Sequence, residues 1–498
     1  MKHFIFAVGT FLFLASSAVA AENSYPPPPP AGKALSVEDT IYGVLRTHHN
    51  LRGMIENRDV LTHEVRRAQA GFGPRVDVTG QAGGSVLSDS NTRNQNLDRQ
   101  MWGKVGYSAQ LVQPIWDGFA TRSRVRTAKS TLESQKYRVF DTATSLSLDA
   151  IIAHIDLLRR RKIYELSETN VAHHKGLVAQ AQDRASLGAD TAADVTQAQS
   201  RLQRAYSSLS EAKAALLVAE ETFVRLTGLP AASRLQPVSM PPQLYSATQA
   251  VLDQAKKSNP KLAAYLQDIR ASRGQRELAD AAFSPTLNLE AGPNYTNLGG
   301  ASDRWVSSFD VMGVVRWNIF NSGADLAERR AASARMRQSR QVMYNFVDDL
   351  KLDVESTWIN YQAAQEQYNH YSKAIEYNKY TCAAYLEQFQ IGKRSILDVL
   401  DTESELYNSA TQAETARGNI LVGAYRLSAL TGNMLPDMSI NTGPLGQSAP
   451  KDPEDPREEF APGWFNCPLL PHASIYWEAC GFFCSCLFCE MCWLTRPV

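Results

Sequence analysis

Residues 70–78 have the sequence AGFGPRVDV, and residues 281–289 repeat the same pattern as AAFSPTLNL. Three further landmarks recur in the same order, each 204 residues after its first copy. They are PIWDG at 114–118 and NIFNS at 318–322, Leu187-Gly188 and Ile391-Gly392, and Leu226-Thr227-Gly228 and Leu430-Thr431-Gly432. Four matched landmarks in one order indicate that the chain contains the same structural unit twice.

An alternation of apolar and polar residues follows the landmark proline in each unit. In the first unit Tyr107 and Leu111 belong to such an alternating stretch, and in the second unit residues 307–319 form another. A polar loop precedes each of these stretches, at 88–100 and 294–304. A period of two is typical of β-strands, so the pattern predicts two β-hairpins and four strands per chain.

Each hairpin is followed by a long stretch without a helix breaker. Proline is absent from residues 115–229 and 294–435. Apolar residues recur there every three or four positions, which predicts continuous helices over residues 118–186 and 324–390. At 1.5 Å per residue each helix is about 100 Å long. A landmark glycine then ends each helix and allows a return helix, so each unit contains a long antiparallel helical hairpin.

The N-terminus has the features of a secretory signal, and the C-terminus departs from the repeated pattern. Lys2 and His3 precede an apolar run and the small residues Ala18-Val19-Ala20, which predicts cleavage after Ala20. The predicted segments are a signal peptide at 1–20, a proline-rich leader at 21–36, the first unit at 37–230, a linker at 231–246, the second unit at 247–433, and a C-terminal linker with an unassigned cysteine-rich tail at 434–498.

Composition excludes several classes of function. The chain has 51 Lys and Arg against 51 Asp and Glu, so no surplus of positive charge favours nucleic acid. Motifs typical of metalloproteases, nucleotide-binding loops and nucleophile elbows are absent from the sequence, so we expect no enzyme activity, cofactor or metal. The adjacent histidines His48-His49 and His173-His174 point apart on a helix and are interpreted as surface residues.

Four strands with an apolar face, in an exported protein, are typical of an outer-membrane barrel. Four strands cannot close a barrel, and an open edge in lipid leaves backbone groups unpaired. Closure therefore needs at least two copies of the chain, and three copies leave an open lumen. The alternative is a soluble β-sandwich with a coiled-coil stalk.

Residues 389–401, FQIGKRSILDVLD, are similar to the Gly-x-Arg-(Thr/Ser)-Ile-x-Asp-Val-Leu-Asp motif of the TolC family of outer-membrane efflux and secretion channels. Together with the duplicated order of entry helix, strand hairpin and helix pair, the resemblance covers residues 37–433. Two departures are Phe389, where some members have tyrosine, and the tail after about Pro450, which matches nothing in the family pattern.

The resemblance implies a mainly α fold with membrane β-structure, assembled as a homotrimer. A twelve-stranded β-barrel in the outer membrane would be continuous with an α-helical barrel that crosses the periplasm. It also implies docking onto a periplasmic adaptor (membrane-fusion) protein and an inner-membrane ABC exporter or RND pump.

Asp398 and Asp401 lie three residues apart after the Gly392 turn and therefore face one side of a helix. Three copies around an axis would place six carboxylates in a ring that favours cations. From the residues alone, acids in the first turn of a helix are also explained by the helix dipole. The family resemblance favours the selectivity ring.

Arg394 and Asp194 are hypothesised to form a gate latch. They would pair on neighbouring coiled coils in the closed tunnel and separate when the tip dilates, with Phe389 packed beside them. The alternative is two solvated charges. The family resemblance also implies that the tips, formed by Leu187, Gly188, Ile391 and Gly392, contact the adaptor.

Trp102, Trp116, Trp305 and Trp317 are interpreted as aromatic anchors at the membrane interface, with core packing as the alternative. The predicted function is the exit duct of a type I secretion or efflux system in the outer membrane of a Gram-negative bacterium. The absence of a lipidated N-terminus slightly favours secretion. Drug efflux with a proton-driven pump and a non-transporting surface stalk are the alternatives.

Overall fold

The computed structural model describes residues 25–27, 33–86, 88, 90–94, 99–188, 191–231, 233–243, 245–297 and 305–445. Its helices are α1 (Val37–Thr47), α2 (His49–Ala70), α3 (Ser90–Asn94), α4 (Ala120–Ser186), α5 (Ala192–Thr227), α6 (Thr248–Ser258), α7 (Pro260–Ala281), α8 (Ala324–Gln390), α9 (Ile396–Thr431) and α10 (Met434–Asp437). Its strands are β1 (Arg75–Val86), β2 (Met101–Trp116), β3 (Thr286–Asn297) and β4 (Trp305–Arg316). The predicted signal peptide and the cysteine-rich tail lie outside the described residues.

The two long helices have the predicted extent. α4 and α8 contain 67 residues each, and the return helices α5 and α9 contain 36 residues each. Gly188 and Gly392 have φ values of 76° and 77°, a left-handed conformation that glycine adopts without the steric cost of a Cβ atom. The duplicated landmarks are therefore the two turns of the helical hairpins.

The entry segment of each unit differs from the sequence prediction, since it consists of two helices instead of one. His48 and Asn259 have extended backbone conformations that separate α1 from α2 and α6 from α7. For Asn259 the cause is local: Pro260 follows it, and the Asn259 side chain caps α7 by accepting from the Leu262 amide.

The strands form one antiparallel sheet in the order β1-β2-β3-β4. Its cross-strand pairs place apolar residues on one face, for example Val76 opposite Leu111 and Pro293 opposite Phe309. The opposite face carries polar residues such as Gln110 and Glu290. β3 continues to Asn297, so the polar loop of the second hairpin is shorter than predicted.

The apolar face of the sheet is not covered by other parts of the described chain. Val78 is 80% exposed and Phe309 is 71% exposed. The largest buried cluster lies elsewhere, where α1, α2, α4, α9 and α10 meet, and it includes Ile41, Phe140 and Met434. Among the residues that the structure describes, no helix combines the length and apolar character needed to cross a membrane.

His154 of α4 connects three parts of the first unit. Its Nδ1 lies 2.9 Å from the hydroxyl of Thr40 in α1, and its Nε2 donates to the carbonyl oxygen of Gln236 in the linker at 2.9 Å. The side chain is fully buried. Burial lowers the pKa of His154 below its ordinary value of 6.5.

We expect the stability contributed by His154 to decrease on acidification. Because its folded-state pKa is lowered, the unfolded chain binds the proton first, so this stability is lost as pH falls below about 6.5, at up to about 1.4 kcal/mol per pH unit. The thermal midpoint of the helices, followed by circular dichroism between pH 7.5 and 5.5, should fall less steeply in His154→Gln. The exposed His49→Gln serves as the control, and parallel pH profiles for wild type and His154→Gln would contradict the assignment.

Candidate functional site at the tips of the helical hairpins

The ends of the two helical hairpins pack against each other through an apolar cluster. Phe389, near the end of α8, is only 1% exposed. It packs with residues from the three other helices of the two hairpins, α4, α5 and α9: Leu177, Val178, Ala181, Ala198, Ile396, Val399 and Leu400. The phenylalanine that departs from the family motif is therefore a core residue of the tip.

Arg184 connects the end of α4 to the end of α8. Its Nη1 donates to the carbonyl oxygen of Phe389 at 3.0 Å, and its guanidinium lies 4.7 Å from the centre of the Phe389 ring. The last carbonyl groups of a helix lack partners within the helix and favour a nearby cation. Arg184 thus adds a charged donor to the Phe389 carbonyl, which also accepts from the Gly392 amide, and it connects the two hairpins.

Arg394 contacts residues of its own hairpin. Its Nη1 lies 3.4 Å from Asp398 Oδ2, its Nε donates to Gln388 at 3.3 Å, and its guanidinium lies 3.9 Å from the centre of the Tyr385 ring. The structure therefore places Arg394 beside the carboxylate predicted for the selectivity ring.

Asp194 caps the helix on which it lies. Its carboxylate accepts from the amide and hydroxyl of Thr191, while the Thr191 hydroxyl accepts from the Asp194 amide. This reciprocal pattern is a capping box at the start of α5. In a single chain Arg394 and Asp194 have separate partners, and their pairing across neighbouring coiled coils stays a prediction.

Asp401 forms an ion pair with a residue of the other hairpin. Arg201 of α5 donates to it at 2.6 Å. The side chains of Asp398 and Asp401 remain 44% and 56% exposed, so both carboxylates can still contact solvent ions. The sequence pattern does not indicate the roles of Arg184, Arg201 and Tyr385, because their partners are more than one helical turn away or on another helix.

The outermost residues of the tips are apolar and exposed. Leu187 is 83% exposed and Ile391 is 66% exposed, each beside its turn glycine. A contact with another protein at the tips would bury these two side chains. Their role as adaptor contacts stays a prediction.

The cross-strand register places two of the predicted interfacial tryptophans, Trp116 and Trp305, on the apolar face, and their role as membrane anchors stays a prediction. Trp305 pairs with Asn297, and this register places Trp305 on the apolar face. Trp317 lies just after β4, and its indole N–H donates to the carbonyl oxygen of Phe283. A bulge between Pro114 and Trp116 pairs Trp116 with Leu287 and so turns Trp116 to the apolar face.

Trp102 does not fit that role. It pairs with Ser85 and alternates with Gly103, so it lies on the same side as Lys104 and Gln110. The even-numbered positions of β2 before the bulge belong to the polar face. Trp102 is therefore placed on the face opposite to Trp305, which the spacing of aromatic residues alone did not reveal.

Histidine and cysteine side chains of the hairpins meet at Glu403 without forming a metal site. Glu403 lies 3.2 Å from His173 Nδ1 and accepts from the Cys382 thiol at 3.1 Å. Burial and this bond raise the pKa of Cys382 to about 12, so the thiol stays protonated. His174 is buried, in contrast to the surface position predicted for it, and burial lowers its pKa. Within the described ranges, no three metal-ligating side chains are grouped suitably for an ion.

The chain matches the outer membrane efflux protein family over residues 40–229 and 251–433. The two matched segments correspond to the two repeated units, and together they span most of the chain.

Individual relatives and solved structures agree with this match. The outer membrane efflux protein BepC of Brucella suis is 26% identical over 76% of this chain and 81% of its own. The alkaline protease secretion protein AprF of Pseudomonas aeruginosa is 22% identical over 80% of this chain and 85% of its own. The fold is also that of the crystal structure of the outer membrane protein VceC from Vibrio cholerae, with a TM-score of 0.69 at 17% identity over 80% of this chain and 96% of that one.

We expect Arg184→Gln to loosen the end of α8. A cation–π contact and a charged hydrogen bond are together worth about 1–2 kcal/mol, which corresponds to roughly 5- to 30-fold faster amide exchange near residues 386–392. Hydrogen–deuterium exchange with mass spectrometry measures this region directly. The exposed Arg204→Gln on α5 is the matched control, and equal exchange rates in the two variants would refute the role of Arg184.

Proposed function

The chain belongs to the outer membrane efflux protein family, and we propose that three copies form a closed exit duct through the outer membrane and periplasm. In this assembly the twelve strands form one barrel, and the helical hairpins form a tunnel that continues inward. The duct is a passive conduit, and a partner pump supplies the energy.

The open sheet is the main support for this assembly. β1 pairs only with β2 and β4 only with β3 among the described strands, which leaves one edge of each without a partner. In lipid each unpaired backbone group costs several kcal/mol. β1 and β4 contain 12 residues each, so β1 of one copy and β4 of the next can pair over their full length.

Exposed apolar stripes on the helices support the same assembly. Leu352, Ile359 and Tyr377 of α8 are exposed at intervals that keep them on one side of the helix. Tyr206 and Leu217 form a similar exposed stripe on α5. Contact between these stripes in neighbouring copies would bury both of them.

The hairpin tips support a gated inner end. The exposed carboxylates of Asp398 and Asp401 form the proposed cation-selective ring, and the exposed Leu187 and Ile391 form the proposed contact with a periplasmic adaptor. The weak ion pairs at the tip, each worth about 0–1 kcal/mol, suit a gate that must open.

Protein secretion with an ABC exporter and small-molecule efflux with an RND pump both agree with the family. AprF is named for protease secretion and BepC for efflux. Secretion and efflux are therefore both part of the proposed function. Adjacent genes for an ABC exporter or for an RND pump would distinguish them.

Trimer formation can be tested through the α8 stripe. Ile359→Asp places a charge in the proposed interface and should shift the protein from trimer to monomer in detergent, as measured by sedimentation equilibrium. Lys351→Glu, which changes an exposed charge outside the stripe, should remain trimeric. A wild-type protein that sediments as a folded monomer at all concentrations would overturn the assembly.

Channel function can be tested through the carboxylate ring. Wild type reconstituted in planar bilayers should conduct with a preference for cations, and Asp398→Asn with Asp401→Asn should reduce that preference about tenfold, because the ring loses its charge while Arg201 remains. The exposed Asp253→Asn in α6 is the control. Bilayers without conductance would favour the stalk, and unchanged selectivity in the double variant would place the selective site elsewhere.

A further inference from the structure

A cavity of about 440 Å³ lies at the junction of the sheet and the helices. The end of β2 leads into α4 on one side of it, and the end of α7 leads into β3 on the other. Its lining includes Phe119, Arg122 and Arg126 from the first side and Glu277 and Asp280 from the second. Since β2 and β3 are the central strands, the cavity lies away from the sheet edges at which copies of the chain would meet.

An aromatic pair connects this cavity to the apolar face of the sheet. Phe119 packs edge-on against Trp116, with ring centres 4.7 Å apart, and the bulge in β2 places Trp116 on the apolar face. Phe119 has a φ of 68°, an uncommon left-handed conformation for a residue with a side chain, and it is 52% exposed. The chain thus presents an aromatic side chain to solvent at the boundary of the apolar face.

The charged side chains that line the cavity are two arginines and two carboxylates. Glu277 is paired with Arg126 and Arg273, and Asp280 is paired with Arg276 and Arg329. Arg122 takes part in none of the ion pairs within the described part of the chain, and its guanidinium lies 5.9 Å from the centre of the Phe119 ring. Arg122 is therefore the lining cation without a carboxylate partner among the described ion pairs, while both lining carboxylates are already bound by other arginines.

The second unit provides an internal comparison, because it has the same connection from a strand to a long helix but lacks the phenylalanine and the arginine. The positions equivalent to Phe119 and Arg122 are Gly323 and Leu326, each 204 residues later. The aromatic residue and the unpaired cation are therefore not needed to begin the long helix that follows the strand. Some other requirement accounts for them in the first unit.

We infer that this cavity binds the headgroup of an anionic phospholipid. Arg122 would donate to the phosphate, since a guanidinium matches two phosphate oxygens at once. Trp116 and Phe119 would contact the glycerol and upper acyl region, where aromatic residues are favoured at a membrane surface. The acyl chains would continue over the apolar face of the sheet. This inference requires the outer-membrane location and is independent of channel activity.

The test uses the full protein in nanodiscs that contain equal amounts of phosphatidylglycerol and phosphatidylcholine. After mild detergent extraction, native mass spectrometry counts the lipids that remain bound. Wild type should retain phosphatidylglycerol in preference to phosphatidylcholine, and Arg122→Gln should reduce that preference about fivefold, the effect of one cation at a membrane surface. Arg124→Gln, an exposed arginine outside the cavity, should behave like wild type.

Three results would overturn the inference. They are equal retention of the two lipids by wild type, an equal loss in Arg122→Gln and Arg124→Gln, and displacement of the lipid by soluble glycerophosphoglycerol, which would indicate a site for a free anion. Bilayer conductance of Arg122→Gln, measured in parallel, should match wild type. A silent channel with intact lipid retention would contradict the proposed function alone.

Discussion

The pairing of backbone groups along the sheet is the constraint on which the rest of the structure depends. Four strands satisfy each other within one chain, and the two outer edges of β1 and β4 remain open. Because lipid offers no hydrogen bonds to an open edge, the sheet can be stable in a membrane only when other strands complete it. The exposed apolar face, the long helices and the duplicated order of elements are all consistent with that requirement.

The sequence allowed prediction of those elements whose cause is local. Period-two alternation located the strands, and the absence of proline located α4 and α8 to within two residues at their starts. Gly188 and Gly392 marked the turns, because a left-handed residue at a helix end favours glycine. The helix break at Asn259 could have been predicted from the proline that follows it, Pro260. No proline follows His48, so the sequence does not indicate the break there.

The candidate site was harder to predict, because its contacts join distant parts of the chain. The motif at 389–401 identified Asp398 and Asp401, yet nothing in its spacing indicates that Arg201 binds Asp401 or that Arg184 covers Phe389. The face on which Trp116 lies could not be predicted for a related reason. It depends on the bulge at Pro114–Trp116, which is a property of paired strands.

The contact between Arg184 and the end of α8 has a mechanical consequence. It joins a helix of the first unit to a helix of the second, and the buried Phe389 ring lies between them. An opening of the proposed gate would therefore have to move the two hairpins of one chain together, or break this contact.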